Sequence, residues 1–207
     1  MKNRNRLNNI GSQEIIVATK NGGKIREIQE ILNTLSCHVV PIGEIVEAFE
    51  VEEDGVTYAE NALKKARAAA SCTGKIAIAD DSGLEVDALN GVPGIYSARF
   101  GGEQLSQPEK NALLLKKLQG KTERSARFHC VIAVVAPDGR EETVEGVCEG
   151  TIGYEARGEH GFGFDPVFIV AGCQQTMAEL PLDVKNRISH RAKALQQLLA
   201  LLPRFLT

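Results

Sequence analysis

Short apolar runs alternate along this chain with longer segments in which apolar residues recur every three or four positions. The short runs are rich in β-branched residues and bounded by glycine, proline or charge, which predicts buried strands. They are Ile15–Thr19, Val39–Pro41, Ile76–Asp81, Phe128–Ala136 and Thr143–Cys148, the last two joined by the turn Pro137-Asp138-Gly139. The longer segments predict helices after Lys24, from Tyr58 to Gly74, after Pro108 and after Ser189. This alternation predicts an α/β fold: a central mixed sheet flanked by helices, with a lobe-like extension and a cleft between the two parts.

Capping residues set the expected ends of two of these helices. Thr57 and Glu60 have capping-box spacing, so a helix should begin near Tyr58 and stop before Gly74. Ser189 is a good N-cap, which places His190 and Arg191 in the first turn of the last helix. Cations usually favour the other end of a helix, so we expect these donors to point outward, toward an acceptor-rich partner.

Composition narrows the function classes. The chain has 207 residues, 43% of them hydrophobic, and a net charge of −3, so a nucleic acid polymer is not an expected partner. The five cysteines include no C-x-x-C pair, which argues against a disulfide framework or a zinc site and fits a reducing cytoplasm. No apolar run approaches the ~20 residues of a membrane span. Residues 1–13 are polar and predict a flexible leader, and residues 14–207 predict one domain.

Two adjacent carboxylates follow the apolar run that starts at Ile76. We expect Asp80 and Asp81 to end a strand at the rim of the sheet, where open α/β folds place ligands. Successive strand side chains face opposite ways, so one carboxylate should face a cleft and the other a structural hydrogen bond. The alternative is that Asp80-Asp81-Ser82-Gly83 is only a turn.

The segment Thr19-Lys-Asn-Gly-Gly-Lys24 lies between a predicted strand and a predicted helix. Strand, glycine loop and helix form a layout that binds phosphate, because backbone N–H groups, the helix N-terminus and a lysine converge there. The segment matches neither a Walker A loop nor G-x-G-x-x-G, and an ordinary turn is the alternative.

A second unusual stretch is Gly158–Pro166, in which Phe162 and Phe164 alternate with glycines ahead of Asp165. Such aromatic residues can stack on a flat ligand such as a base, or they can fold back onto the core.

Two other side chains have plain structural interpretations: Glu53 as a solvated charge before a helix, and His129 as a packed histidine within a strand.

Taken together, these motifs resemble the inosine triphosphate pyrophosphatase family, which hydrolyses inosine and xanthosine triphosphates. The resemblance covers Ile15 to about Leu202 and rests on T-K-N-G-G-K at 19–24, T-x-x-E-N-A at 57–62, I-A-D-D-S-G-L at 78–84, G-V-P-G-I-Y-S-A-R-F at 91–100, G-F-G-F-D-P at 161–166 and K-x-x-I-S-H-R at 185–191. The bacterial branch commonly has Tyr where this chain has Phe164, a change that leaves stacking possible.

The resemblance implies two lobes with a nucleotide-binding cleft, Mg²⁺ as cofactor, a homodimer, and release of pyrophosphate from the triphosphate. It implies that Thr19, Lys20, Asn21, Gly22, Gly23, Lys24, Ser82 and Lys185 hold the triphosphate, that Phe162, Gly163, Phe164, Asp165, His190 and Arg191 surround the base, and that Glu53 and Asp81 bind Mg²⁺. Asp81 would also be the base that activates water.

Two rival interpretations stay open. A phosphomonoesterase with an aspartyl nucleophile would use the Asp-Asp pair, although the D-x-D-x-T spacing is missing. A nucleotide-binding module without catalysis would have less need of both Glu53 and Asp81.

Overall fold

Six strands form one continuous mixed sheet in the computed structural model, which describes residues 13–33 and 37–206. The strands are β1 (Gln13–Val17), β2 (Cys37–Pro41), β3 (Ile76–Val86), β4 (Ser125–Val135), β5 (Glu141–Ile152) and β6 (Phe168–Val170), in the order β2-β1-β3-β4-β5-β6. β1 is parallel to both β2 and β3, whereas β3, β4, β5 and β6 pair antiparallel in sequence. The predicted α/β class with a central mixed sheet is therefore confirmed.

Five α-helices cover the sheet within the described residues. They are α1 (Gly22–Leu32), α2 (Tyr58–Thr73), α3 (Gln107–Lys117), α4 (Leu182–Ile188) and α5 (His190–Leu201). The predicted caps of α2 are present: Thr57 accepts a hydrogen bond from the Glu60 amide, and Gly74 ends the helix in the left-handed conformation. Glu60 bonds back to the amide of Val56 rather than to that of Thr57. Ser189 caps α5 by accepting from the Ala192 amide, as expected.

Helices pack on both faces of the sheet, and strand alternation decides which residues they meet. Ala77 and Ala79 of β3 join the apolar cluster under the alanine-rich face of α2. Ile78, between them, joins the cluster on the opposite face, where α1 and α5 supply Ile28 and Leu195. Carried forward by two residues, the same alternation turns Asp80 toward α1 and α5 and turns Asp81 toward α2.

The predicted strand end at Asp80-Asp81 is wrong, and so is the alternative turn. β3 continues to Val86, and its pairing with β4 runs unbroken from Ala77 to Val86. Ser82-Gly83 stays extended because β4 supplies Cys130 and His129 opposite it. Gly83 is needed there for another reason: a Cβ atom would lie 2.1 Å from the carbonyl oxygen of Gly94, which packs against the strand.

Three further expectations concern the first residues of the chain, a division into two lobes and membrane-spanning segments. Gln13 belongs to β1, and the other twelve residues of the predicted 1–13 leader lie outside the described residues. A third apolar cluster, at the far ends of β3, β4 and β5, includes Leu114 of α3, but the strands run through it without a break, and a division into two lobes stays a prediction. In the part of the chain that is described, no helix has the length and apolar character to cross a membrane.

We predict that Gly74→Ala lowers the free energy of unfolding by about 1–2 kcal/mol, the cost of a left-handed conformation for a residue with a Cβ atom. Gly74 has a φ of 65° and open space around its Cβ direction, so the loss comes from backbone conformation alone. Gly43→Ala is the matched control, because Gly43 also has open space but no positive φ. Urea denaturation should show the loss in Gly74→Ala only; equal effects would contradict this interpretation.

Candidate active site

A large cleft opens where β1 ends and β3 continues. The last backbone bond between them joins the Ala18 amide to the Ile78 carbonyl at 2.8 Å. Beyond it, β3 stays paired with β4 on one side, and on the other side it next forms an isolated bridge from Glu85 to Pro93. The edge near Asp81, between these two points, lines a cavity of about 700 Å³. Cavities of this size suit small-molecule ligands. Its walls include Thr19, Lys20, Asn21, Lys24, Glu53, Asp81, Ser82, Phe162, Gly163, Phe164, Asp165, Lys185, His190 and Arg191, all of which the sequence singles out.

The glycine loop has a different internal geometry from the one expected. The Asn21 side-chain oxygen accepts from the amides of Gly23 and Lys24 at 2.9 and 3.2 Å, so it occupies the N–H groups that were expected to face a phosphate. Gly22 and Gly23 do not line the cavity. Gly23 is required by packing, since a Cβ atom there would lie 2.5 Å from the Phe162 ring. Lys20 and Lys24 supply cationic side chains at this end of the cleft.

Two carboxylates and an ammonium group meet on the α2 side of β3. Lys65 of α2 places its Nζ 3.4 Å from Glu53 and 3.5 Å from Asp81. Asn61, one turn earlier on α2, donates to the other oxygen of Asp81 at 3.2 Å. Burial, with a smaller contribution from the charge of Glu53, raises the pKa of Asp81, although Lys65 and Lys24 oppose the rise. Asp81 therefore loses its proton less readily here than a solvent-exposed aspartate would, even though two lysines lie near it.

The donor set of this corner fits a hard divalent cation. Glu53 and Asp81 each place a carboxylate oxygen within 3.5 Å of Lys65 Nζ, so the two carboxylates are near each other, and Mg²⁺ typically binds one or two carboxylates together with phosphate oxygens. Among the described residues, no group of three or more His, Cys, Asp or Glu side chains is arranged to hold a metal ion. The remaining ligands would therefore come from the substrate and from water.

Asp80 faces the opposite side of β3 and takes the structural part. Its Oδ2 accepts from Nε and Nη2 of Arg191 at 3.1 and 2.9 Å and lies 3.0 Å from Lys24 Nζ. Burial alone would raise the pKa of Asp80, but Lys24 and Arg191 hold it well below its usual range. One carboxylate thus faces the cleft and the other a structural hydrogen bond, as alternation along the strand predicted.

The expectation that Arg191 points its donors outward is wrong. Arg191 is 1% exposed, and Nη1 bonds to Glu27 at 2.5 Å while Nη2 also donates to Ser82 at 3.0 Å. Burial would lower the pKa of Arg191, yet Asp80 and Glu27 raise it above its usual value. The anionic partner that a cation at a helix N-terminus requires is therefore inside the protein.

Lys185 is buried in the same network. Its Nζ lies 2.6 Å from Asp165 and 2.8 Å from Glu27. Asp165 also accepts from the Phe162 amide at 2.8 Å, and Lys185 sits over the Phe162 ring, 4.8 Å from its centroid. Burial raises the pKa of Asp165, and the Lys185 ammonium opposes that rise. Lys185 and Asp165 thus hold the aromatic loop, residues 158–166, in place, whatever they contact in a bound ligand.

The two phenylalanines and the histidine differ in how much surface they offer a ligand. Phe164 is 3% exposed and its ring packs on Phe100, so most of the ring belongs to the core. Phe162 is half-buried. His190 stacks on Phe128, and its Nδ1 has no partner among the described residues. Burial, followed by the charges of Arg191 and Lys185, lowers the pKa of His190 well below its usual value, so the ring is neutral.

The sequence did not indicate a role in the site for four of the residues that build it: Glu27, Asn61, Lys65 and Arg99. Asn61 and Lys65 are four positions apart on α2, which places them on one helix face, but an alanine-rich helix offers no sign of what that face meets. Arg99 donates to the backbone carbonyl of Glu53 at 3.2 Å and so anchors that loop. The motifs T-x-x-E-N-A and S-A-R-F did contain Asn61 and Arg99, without indicating their contacts.

The fold and the cleft define an α/β protein in which one large cavity brings lysines together with a carboxylate pair. Its sequence narrows the class further: residues 15–201 match the model of the Ham1 family, and the chain belongs to that family.

Similar proteins cover nearly the whole chain. The dITP/XTP pyrophosphatase of Desulforamulus reducens is 53% identical over 193 residues, which are 92% of this chain and 96% of that protein. The dITP/XTP pyrophosphatase of Bacillus subtilis (strain 168) is 50% identical over 192 residues, or 92% of this chain and 97% of the relative. Among solved structures, the Staphylococcus aureus Ham1 protein has a TM-score of 0.83 at 46% identity, covering 92% of this chain and 98% of its own.

We predict that Arg191→Leu lowers the free energy of unfolding by about 3–5 kcal/mol, because it leaves Asp80 and Glu27 buried beside one fewer cation. Arg187→Leu is the matched control: its pair with Asp183 is i,i+4 and its side chain is 65% exposed, so the change should cost less than about 1 kcal/mol. Guanidinium denaturation of both variants tests the difference. A small loss for Arg191→Leu would mean that the network contributes little to stability.

Proposed function

We propose that this protein hydrolyses non-standard purine nucleoside triphosphates, namely ITP, dITP and XTP, to the monophosphate and pyrophosphate. The observation that carries the proposal is the Glu53–Asp81 carboxylate pair in the same cavity as the Thr19–Lys24 loop. A triphosphate needs cations along its length and a metal-binding carboxylate pair at the bond to be cleaved. The relatives named dITP/XTP pyrophosphatases, about half identical to this chain, supply the substrate class. Removal of such nucleotides keeps deaminated purines out of DNA and RNA.

In this proposal the chemical step depends on Asp81. Its carboxylate accepts a proton from the water that attacks the α-phosphorus, a role for which a raised pKa is suited. Lys24 and Lys65 both offset negative charge on the phosphates, and Lys65 does this at the position next to the Glu53 and Asp81 carboxylates. Mg²⁺ held by Glu53 and Asp81 would neutralise phosphate charge and polarise the bond that breaks. Ser82 and Lys185 complete the predicted triphosphate contacts from the cleft wall.

Recognition of the base falls to His190 rather than to Arg191. Inosine and xanthosine carry a 6-keto acceptor, and a neutral imidazole has one N–H to donate to it. His190 lines this cleft, and its buried Nδ1 atom has no hydrogen-bond partner in the described part of the chain, whereas the Arg191 donors bond to Asp80, Glu27 and Ser82. The half-buried Phe162 ring can stack on the base, and Gly163 and Asp165 hold the loop that carries it.

The proposal includes Mg²⁺ as the metal, a homodimer as the assembly and the cytoplasm as the compartment. Cysteine usage supports the compartment: Cys37, Cys72, Cys130, Cys148 and Cys173 are all free thiols. A net charge of −3 supports a small-molecule substrate rather than a nucleic acid polymer or a membrane surface as partner.

Incubation of the protein and Mg²⁺ with a panel of ITP, dITP, XTP, ATP and GTP tests the proposal. We expect the first three to release pyrophosphate and the monophosphate, with far slower release from ATP and GTP. Single phosphates would indicate the rival phosphomonoesterase chemistry. Binding without turnover would indicate the rival nucleotide-binding module.

We predict that Asp81→Asn lowers kcat for dITP about 10²-fold or more, because it removes the proton acceptor and a metal charge while keeping side-chain size. The control Asp183→Asn changes an exposed carboxylate on α4 whose side chain pairs, among the described residues, with Arg187 alone, so kcat should stay at the wild-type value. Circular dichroism should show that both variants are folded. Near wild-type turnover by Asp81→Asn would remove that residue from the mechanism.

A further inference from the structure

Asn61 of α2 lies between the two predicted metal-binding segments and hydrogen-bonds to both of them. The residue is fully buried on the face of α2 that meets β3. Its Nδ2 donates to Oδ2 of Asp81 at 3.2 Å, and its Oδ1 accepts from the amide of Gly55 at 2.9 Å. Gly55 lies two residues after Glu53, so one side chain connects the strand that carries Asp81 to the loop that carries Glu53.

The chemistry of the two partners fixes the orientation of this amide. A carboxylate only accepts hydrogen bonds and a backbone N–H only donates them, so the position needs one donor and one acceptor in a short planar group. Asparagine meets that requirement. Aspartate lacks the donor, leucine lacks both groups, and glutamine is longer by one methylene.

The loop is packed directly against Asn61. A Cβ atom at Gly55 would lie 2.6 Å from Asn61 Oδ1 and 2.9 Å from the Glu60 Cβ atom. Arg99 holds the same loop from the other side through the backbone carbonyl of Glu53. Glu53 itself is half-buried, and its contact with Lys65 is long at 3.4 Å, so that contact alone fixes its position poorly.

We infer that Asn61 is a positioning residue for the divalent cation: it sets the distance between the Glu53 and Asp81 carboxylates by joining the Glu53 loop to β3. This inference rests on the proposed function, since it assigns Asn61 a part in assembling that metal-binding pair. Hydrogen-bond partners that orient metal ligands typically affect metal affinity or activity by about 10–100-fold. Asn61 is not among the residues that line the cleft, so it would act through the two carboxylates and its effect should be reversible by more metal.

Two substitutions break the link from opposite sides. Asn61→Leu keeps the branching at Cγ, adds some volume and removes both hydrogen bonds. Gly55→Ala keeps Asn61 but forces the loop away from it, and it remains informative if Asn61→Leu fails to fold. Ala69→Gly is the matched control, because it weakens α2 two turns further along without touching either carboxylate.

Three measurements apply to each variant: hydrogen exchange of residues 51–56, Mn²⁺ binding by electron paramagnetic resonance with an α,β-imido analogue of dITP present, and the Mg²⁺ dependence of dITP hydrolysis. We expect both link variants to exchange the loop amides faster, to bind Mn²⁺ about 10-fold or more weakly, and to regain most of kcat at high Mg²⁺. Ala69→Gly should match the wild type in all three.

Three outcomes would overturn the inference: wild-type Mn²⁺ affinity in both link variants, an equal loss in Ala69→Gly, or a loss of kcat that Mg²⁺ does not restore. Failure of the proposed function shows separately, as a wild-type protein that releases no pyrophosphate. In that case exchange and Mn²⁺ binding still decide whether Asn61 joins the two segments around a cation, and a wild type that binds no Mn²⁺ overturns the inference as well.

Discussion

Arg191 and Asp80 meet at 2.9 Å in the interior, where neither side chain is more than 1% exposed. Removing two such charges from water costs several kcal/mol per ion, and that cost is offset only when every charge has well-placed partners. The network supplies them: the cations Lys24, Lys185 and Arg191 face the anions Glu27, Asp80 and Asp165. Because its members come from α1, β3, α4, α5 and the aromatic loop, these elements are bound to one another at the floor of the cleft.

This network lets one strand do two different tasks. On one face of β3, Lys24 and Arg191 balance the negative charge of Asp80 and keep its carboxyl group ionised. On the other face, Asp81 is only partly compensated, and burial raises its pKa. A single residue step along an extended chain therefore separates a carboxylate whose charge is balanced inside the protein from one whose charge is only partly balanced and which lines the cleft. Exchange of the two environments would require a shift of register along the whole of β4, which pairs with ten consecutive residues of β3.

Local signals in the sequence predicted local structure well. Thr57, Gly74 and Ser189 cap their helices as expected because a cap depends on residues three or four positions away. Membership of the cleft was also largely predictable, since the motifs mark its walls, although Gly22 and Gly23 do not line it. The contacts within the cleft were not: Arg191 meets Asp80 across 111 positions of sequence and Glu27 across 164. A cation at a helix N-terminus reveals that it needs an acceptor, but not whether that acceptor is a ligand or the protein itself.

The position of Phe162 links the two ends of the cleft. Its ring lies against Gly23 in the Thr19–Lys24 loop, and its amide bonds to Asp165, which Lys185 holds. A side chain at position 23 would displace the ring, and loss of Lys185 would release the loop that carries it. The predicted phosphate-binding and base-binding segments are therefore in van der Waals contact before any ligand arrives. In the folded protein each segment already restricts the position of the other. Ligand binding therefore loses less conformational entropy at the cleft than it would if the two segments were separate.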